Sequence, residues 1–162
     1  MLLLTKAKDL RKFGIQTNKT WVTADIHFGH KGICEFSKED GTKVRPWNSY
    51  EEMDDELVKR FNEVVMPDDK CYILGDVTIN RRALPTIARL NCKNLILIKG
   101  NHDNFRLQEY QEYFIDIRAG QVYNDIWLSH IPIHPQCLDR WVGNIHRHLQ
   151  LVNKLPFIHQ GL

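Results

Sequence analysis

The chain has 162 residues, enough for one domain with a real core and too few for two comfortable ones. Its 43% hydrophobic and 26% charged residues are those of an ordinary soluble globular protein, and no apolar run is long enough to span a bilayer. A net charge of +2 is too near neutral to argue for a nucleic-acid or membrane partner. Residues 1–4 are apolar but lack a basic leader, a long hydrophobic region and a small-residue cleavage site, so they read as a short strand and not a signal peptide. The four cysteines, Cys34, Cys71, Cys92 and Cys137, form no C-x-x-C pair and read as small hydrophobes. Reduced thiols without an export signal give the expectation of a cytoplasmic protein.

In chain order, residues 1–19 are a basic lead-in with no visible chemistry. Residues 20–24, TWVTA, are β-branched and aromatic and predict a strand ending in Asp25-Ile26-His27. In an extended segment Asp25 and His27 share one side, because side chains alternate with period two. Residues 38–47 are polar, contain Gly41 and Pro46, and read as a loop. Ser49 opens a helix with Glu52 as its capping-box partner. Met53, Leu57, Phe61 and Val64 recur at helical spacing and are expected to face a sheet. The acids Glu51, Glu52, Asp54, Asp55 and Glu56 read as a solvated face and first-turn charge. Pro67 stops this helix.

Residues 71–74, CYIL, predict a strand ending in Gly75-Asp76. A helix is expected over residues 81–90, with Pro85 in its first turn. Residues 95–98, LILI, are a continuous apolar run, the pattern of a strand buried on both faces, and they end in Gly100-Asn101-His102-Asp103. Residues 105–114 read as helical and 115–118 as a strand. Residues 126–128 predict another strand, ending in Ser129-His130, and residues 144–150, NIHRHLQ, close the histidine series.

Strand followed by polar ligand thus recurs at Asp25/His27, Asp76, Asn101/His102, His130 and His146/His148. Strand–helix–strand alternation puts the carboxyl ends of neighbouring strands on one edge, where ligands bind in open α/β sheets. Oxygen and imidazole donors without thiolate suit Mn, Fe, Zn, Co or Ni. Asp76, lying between the two ligand sets, has two oxygens with which to bridge two ions. Such ions, about 3.5–4 Å apart, can clamp the attacking and leaving oxygens of a phosphoryl displacement. His134 and His159 read as ordinary hydrogen-bonded histidines, and His30 either as one of these or as lining the pocket mouth. Trp21, Trp47, Trp127 and Trp141 read as packing, since no basic–aromatic stripe accompanies them.

D-x-H, G-D, G-N-H-D and the late histidines, in that order, resemble the calcineurin-like metallophosphoesterase superfamily. The stretches DIHFGHKGI and YEEMDDELVKRFNEVVMPDDKCYILGD are most similar to its small bacterial and phage members. The resemblance implies an α/β fold, a four-layer sandwich of two mixed β-sheets flanked by helices with a shortened C-terminal part. One domain is expected over 1–162, with its core in 20–150. It implies two divalent ions, manganese foremost. Asp25 and His27 would bind the first, Asp76 would bridge, and Asn101 and His130 would bind the second. His102 would act as general acid, oriented by Asp103, and Arg81 or Arg82 would lie near the substrate phosphate. His30 would be the other substrate-side residue. The implied activity is hydrolysis of a phosphate mono- or diester by a two-metal-activated water, on a small phosphate ester or a nucleotide; the oligomeric state stays open.

One departure matters. The family ends its metal site with Gly-His-x-His. If His148 aligns with the first of these histidines, Arg147 replaces the glycine and Gln150 the second histidine. If His146 and His148 are the pair, Ile145 replaces the glycine. The first alignment suggests an alternative: a degenerate metal- or phosphate-binding domain with weak or no turnover, in which Arg147 supplies a phosphate contact.

Overall fold

The structure, a computed structural model, describes residues 18–147. The expected strand over residues 1–4 lies outside the described residues, as do His148, Gln150 and His159. Strands β1 (Thr20–Thr23), β2 (Lys70–Ile73), β3 (Asn94–Ile98) and β4 (Asp116–Arg118) form one sheet in that order, parallel at every pairing. Strands β5 (Gln121–Tyr123), β6 (Ile126–Leu128) and β7 (Gly143–Ile145) form a second, with β5–β6 antiparallel and β6–β7 parallel. Of the two mixed sheets expected, the second is mixed and the first is parallel among the described residues. Two α-helices, α1 (Tyr50–Val64) and α2 (Leu107–Gln111), accompany 3-10 segments at Lys31–Cys34, Arg81–Arg89 and Pro135–Leu138.

The apolar strands are buried on both faces because each face meets a different layer. Cys71, Ile73, Leu95 and Leu97 pack with Val58, Leu84, Ile87 and Tyr110 on the helical side. Their alternate neighbours Tyr72, Leu74, Ile96 and Ile98 pack on Leu128, Tyr123 and Ile126 of the second sheet. Period-two alternation therefore divides one apolar run between two cores. Burial of such side chains stabilises by roughly 1.5–3 kcal/mol each before the entropy of ordering is counted.

The expected α-helix over 81–90 is instead a 3-10 segment. Asn80 caps it by accepting from the Arg82 N–H, and Pro85 removes an interior donor. Helix α1 starts where Ser49 predicts, its Oγ accepting from Glu52 N–H at 3.2 Å. The return arm of the capping box lands one residue early, with Glu52 Oε2 accepting from Asn48 N–H. The buried stripe differs at its end: Val64 is exposed, while Val58 and the C-cap Val65 are buried. Met53 packs away from the sheet, on Cys34 and Trp47.

Asp54 is the clearest correction to the solvated-face reading. It is 6% exposed, and both its oxygens accept from the Gly29 N–H, at 3.2 and 3.0 Å. It thereby ties α1 to the loop carrying His27 and His30. Burial lifts its pKa from 3.8 to about 6, against the opposing pull of the Gly29 N–H. Asp54→Ala is expected to destabilise by about 1–3 kcal/mol, because a buried donor loses its acceptor. Asp54→Asn keeps an acceptor and removes the charge. The folded pKa lies above the unfolded one, so this group's ionisation erodes wild-type stability as pH rises from about 4 to 6 and no further above that. Thermal melts are therefore expected to show Asp54→Asn and wild type converging near pH 4.5 and separating in favour of the asparagine at pH 7.5. A pH-independent gap would contradict this.

Candidate metal centre

The site is built where three parallel strands end. Beyond β1 the chain keeps pairing with the segment beyond β2: Asp25 N–H donates to Gly75 O, His27 N–H to Asp76 O, and Phe28 N–H to Val77 O. Asp25, His27 and Asp76 have φ of 51°, 57° and 54°, in the left-handed region. Period-two alternation is therefore not what brings Asp25 and His27 together, because both lie past the strand on left-handed backbone. Asp and His tolerate this region better than most residues, at a cost of about 1–2 kcal/mol each.

Asp103 joins the loops after β2 and β3. Its carboxylate is 1% exposed and accepts from Gly100 N–H at 2.7 Å, Asp76 N–H at 2.8 Å and Val77 N–H at 3.0 Å. Burial raises its pKa, and those three N–H groups pull against the rise. The residue expected to orient His102 thus spends both oxygens on the backbone. Gly75 and Gly100 permit the close approach. A Cβ on Gly100 would collide with Asp76 Oδ1, and one on Gly75, at φ +80°, would stand 2.5 Å from His130 Nδ1.

Asp76, 1% exposed, is central. Its Oδ1 accepts from His102 N–H at 2.9 Å. Its Oδ2 lies 3.8 Å from His27 Nε2 and 3.5 Å from His130 Nε2. His130 is buried at the end of β6, with Nδ1 2.8 Å from Leu74 O and Nε2 2.8 Å from Asn101 Oδ1. A carbonyl oxygen only accepts, so Nδ1 carries a proton. Nε2 faces two oxygens, Asn101 Oδ1 and Asp76 Oδ2. With the ring neutral and its proton on Nδ1, three acceptors would meet there, an arrangement that a cation satisfies. Asp25, Asp76 and His130 each offer a ligand atom, all within 4.8 Å of one another, and could hold a metal ion.

His27 fits the same account. Burial is the main force lowering its pKa to about 4; Asp76 opposes it, while His30, His102 and Arg45 add to it. The ring is neutral at pH 7, as a metal-binding imidazole must be. Its Nδ1 is buried without a hydrogen-bond partner among the described residues, as is Nδ1 of His146. His30 and His102 stand on either hand, each ring centroid 5.6 Å from that of His27. His30 also accepts from Ile33 N–H, capping the 3-10 turn as a hydrogen-bonded histidine. His134 caps Pro135–Leu138 by accepting from Gln136 N–H, as an ordinary structural histidine.

The structure thus brings together Asp25, His27, Asp76, Asn101, His102 and His130. Arg81 is engaged elsewhere, with Nε 3.1 Å from Glu109 Oε1 and its guanidinium over the Phe105 ring. Sequence reasoning missed Arg45. It sits in the loop read as featureless, and its Nη2 donates to Asp25 O at 2.7 Å. Arg147 also arrives, with Nε 3.7 Å from Asp25 Oδ2.

A two-sheet α/β fold with oxygen and imidazole donors at the strand ends defines a metallophosphoesterase-type protein. The calcineurin-like phosphoesterase family model matches residues 19–161, and the chain belongs to that family. An uncharacterized protein of Methanocaldococcus jannaschii is 30% identical over 150 residues, covering 86% of this chain and 75% of that protein. The Gene 66 protein of Mycobacterium phage L5 is 37% identical over 92 residues, 53% of this chain and 40% of its own length. A crystal structure of a protein of unknown function from Aquifex aeolicus aligns with a TM-score of 0.55 at 25% identity, over 72% of this chain and 62% of that one. The chain therefore spans less than two thirds of the phage protein and of the solved structure. Among the described residues no helix is long and apolar enough to cross a membrane.

Gly100→Ala is expected to cost about 1–3 kcal/mol of stability, the usual range for overpacking. It should also weaken divalent-metal binding at Asp76, because the new methyl displaces that carboxylate. Thermal melts and calorimetric Mn(II) titration check both, and wild-type values for the variant would contradict the packing described.

Proposed function

We propose that this chain is a divalent-metal-dependent phosphoesterase that hydrolyses a phosphate mono- or diester. The supporting observation is the convergence of Asp25, Asp76 and His130 at the strand ends, each with a ligand atom within 4.8 Å of the others, and with Asn101 Oδ1 2.8 Å from His130 Nε2. Asp25, His27 and Asp76 make one candidate ligand set, and Asp76, Asn101 and His130 the other, with Asp76 shared. His146, and His148 outside the described residues, are further candidates. Two ions fit such a set, manganese foremost, with Fe, Zn, Ni or Co compatible with the same donors. When bound, they supply Lewis-acid charge to the phosphoryl group and lower the pKa of a coordinated water.

The chain's own residues do the rest. His102 is exposed at the mouth while its backbone N–H is fixed on Asp76, which stations the ring at the edge of the cluster. As general acid it gives a proton to the leaving oxygen. Asp103 positions it through the backbone, by holding Gly100 and Asp76. His27 stays neutral and available as a ligand until pH falls toward 4. The small phosphate ester or nucleotide that is cleaved, and a cytoplasmic setting, belong to this same reading.

One observation favours a second reading. Arg147 Nε stands 3.7 Å from Asp25 Oδ2, a cation already beside a candidate ligand, as expected of a degenerate site with weak or no turnover. Metal analysis of the purified protein separates the two: two tightly held ions support the enzyme, one or none the degenerate domain.

Asp76→Ala is expected to lower Mn(II)-dependent hydrolysis of aryl phosphate mono- and diesters at least about a hundredfold, the upper end of what losing a group that supports a metal site costs. Circular dichroism should report an intact fold. Undiminished hydrolysis by the variant would overturn the reading.

A further inference from the structure

Two guanidiniums flank Asp25, and the phosphoesterase reading gives neither a role. Arg45 is half-buried and held by its surroundings. The chain before it folds back on itself, with Val44 N–H donating to Phe36 O and a bridge between Ser37 and Lys43. The chain after it is anchored by Trp47, buried against Cys34 and Met53. Its Nη2 donates to Asp25 O at 2.7 Å, which fixes the guanidinium beside the cluster.

Arg147 comes from the opposite end of the chain. It lies two residues beyond β7, its N–H donates to His130 O, and its Nε reaches to within 3.7 Å of Asp25 Oδ2. Its side chain is 74% exposed and so has room to turn. Each guanidinium carries five N–H donors in a planar fork that matches phosphate oxygens. One cation on the Asp25 carbonyl and another beside its carboxylate repel each other, which a second anion would relieve.

The chemistry selects among anions. A phosphomonoester presents three non-bridging oxygens and nearly two negative charges at pH 7. A diester presents two such oxygens and one charge. A pair of arginines beside a metal cluster therefore gains more from the monoester. We propose that Arg45 and Arg147 form an anion subsite beside Asp25 that takes a terminal, dianionic phosphate and makes the chain prefer phosphomonoesters to diesters. This rests on the phosphoesterase reading for the identity of the substrate, and on the arginine geometry for its selection.

The test uses the full chain loaded with Mn(II), with inorganic phosphate as the binding probe. Phosphate affinity is measured by titration calorimetry for wild type, Arg45→Gln, Arg147→Gln and the corresponding lysine variants, with thermal melts as a control for folding. Kinetics on an aryl monoester and an aryl diester are run alongside. Each glutamine variant is expected to lose about tenfold in phosphate affinity, the scale of one charge-assisted contact. Monoester kcat/KM should fall by a similar factor while diester kcat/KM changes little, and the lysine variants should recover part of the loss. Because Arg147 is exposed, its variants test the proposal even if Arg45→Gln fails to fold. Unchanged phosphate affinity in Arg147→Gln, or equal losses on both esters, would overturn the subsite. Wild-type hydrolysis with unaffected variants sinks the subsite and spares the phosphoesterase. Phosphate binding that depends on the arginines, without hydrolysis of either ester, does the reverse.

Discussion

The buried carboxylate of Asp103 holds three backbone N–H groups at once, those of Asp76, Val77 and Gly100. Those donors belong to two loops, one after β2 and one after β3, that parallel strand pairing brings side by side. Without an acceptor each would be a buried unsatisfied group costing about 1–3 kcal/mol. With it, the loops lock so closely that only glycine fits at 75 and 100. The side chains of Asp76 and Asn101, and the backbone N–H of His102, are then fixed relative to His130. The geometry of the candidate centre follows from that one clamp more than from any ligand.

A second constraint is stored in the backbone. Among the described residues five non-glycine positions have positive φ, and three of them are Asp25, His27 and Asp76. The other two, Asn124 and Asp125, form the tight hairpin turn between β5 and β6, where such angles match the twist of the strands. At the site no turn of that kind is needed. The left-handed residues persist because hydrogen bonds between the two loops over-determine them, and they aim donor groups at a point that extended backbone would miss. Strain concentrated at the donors of one cluster fits a centre built to hold a charged ligand.

Much of this was legible in the chain itself. Strands β1, β2 and β3 announce themselves as short apolar or β-branched runs, and their polar endings mark the shared edge. What the sequence hid depends on contacts distant in the chain. Arg45 lies in a polar loop, and only folding brings it to Asp25, twenty residues away. Asp54 sits among five helix acids and looks solvated; its burial depends on where Gly29 packs. Strands β5 and β7 are three residues each, too short for periodicity to register, although Asn124-Asp125 before the 126–128 run was a usable hairpin signal. Asp25 and His27 do converge, but through left-handed turns and not through strand alternation.

The central claim is that strand-end acids, an amide and imidazoles meet to hold divalent cations. Its most direct measurement is anomalous diffraction at the manganese edge from crystals of the full chain grown with Mn(II). The account expects anomalous density bounded by Asp25, Asp76, Asn101 and His130, with Asp76 in contact with every ion found there. Density elsewhere on the molecule, or none among these four side chains at saturating Mn(II), would contradict it.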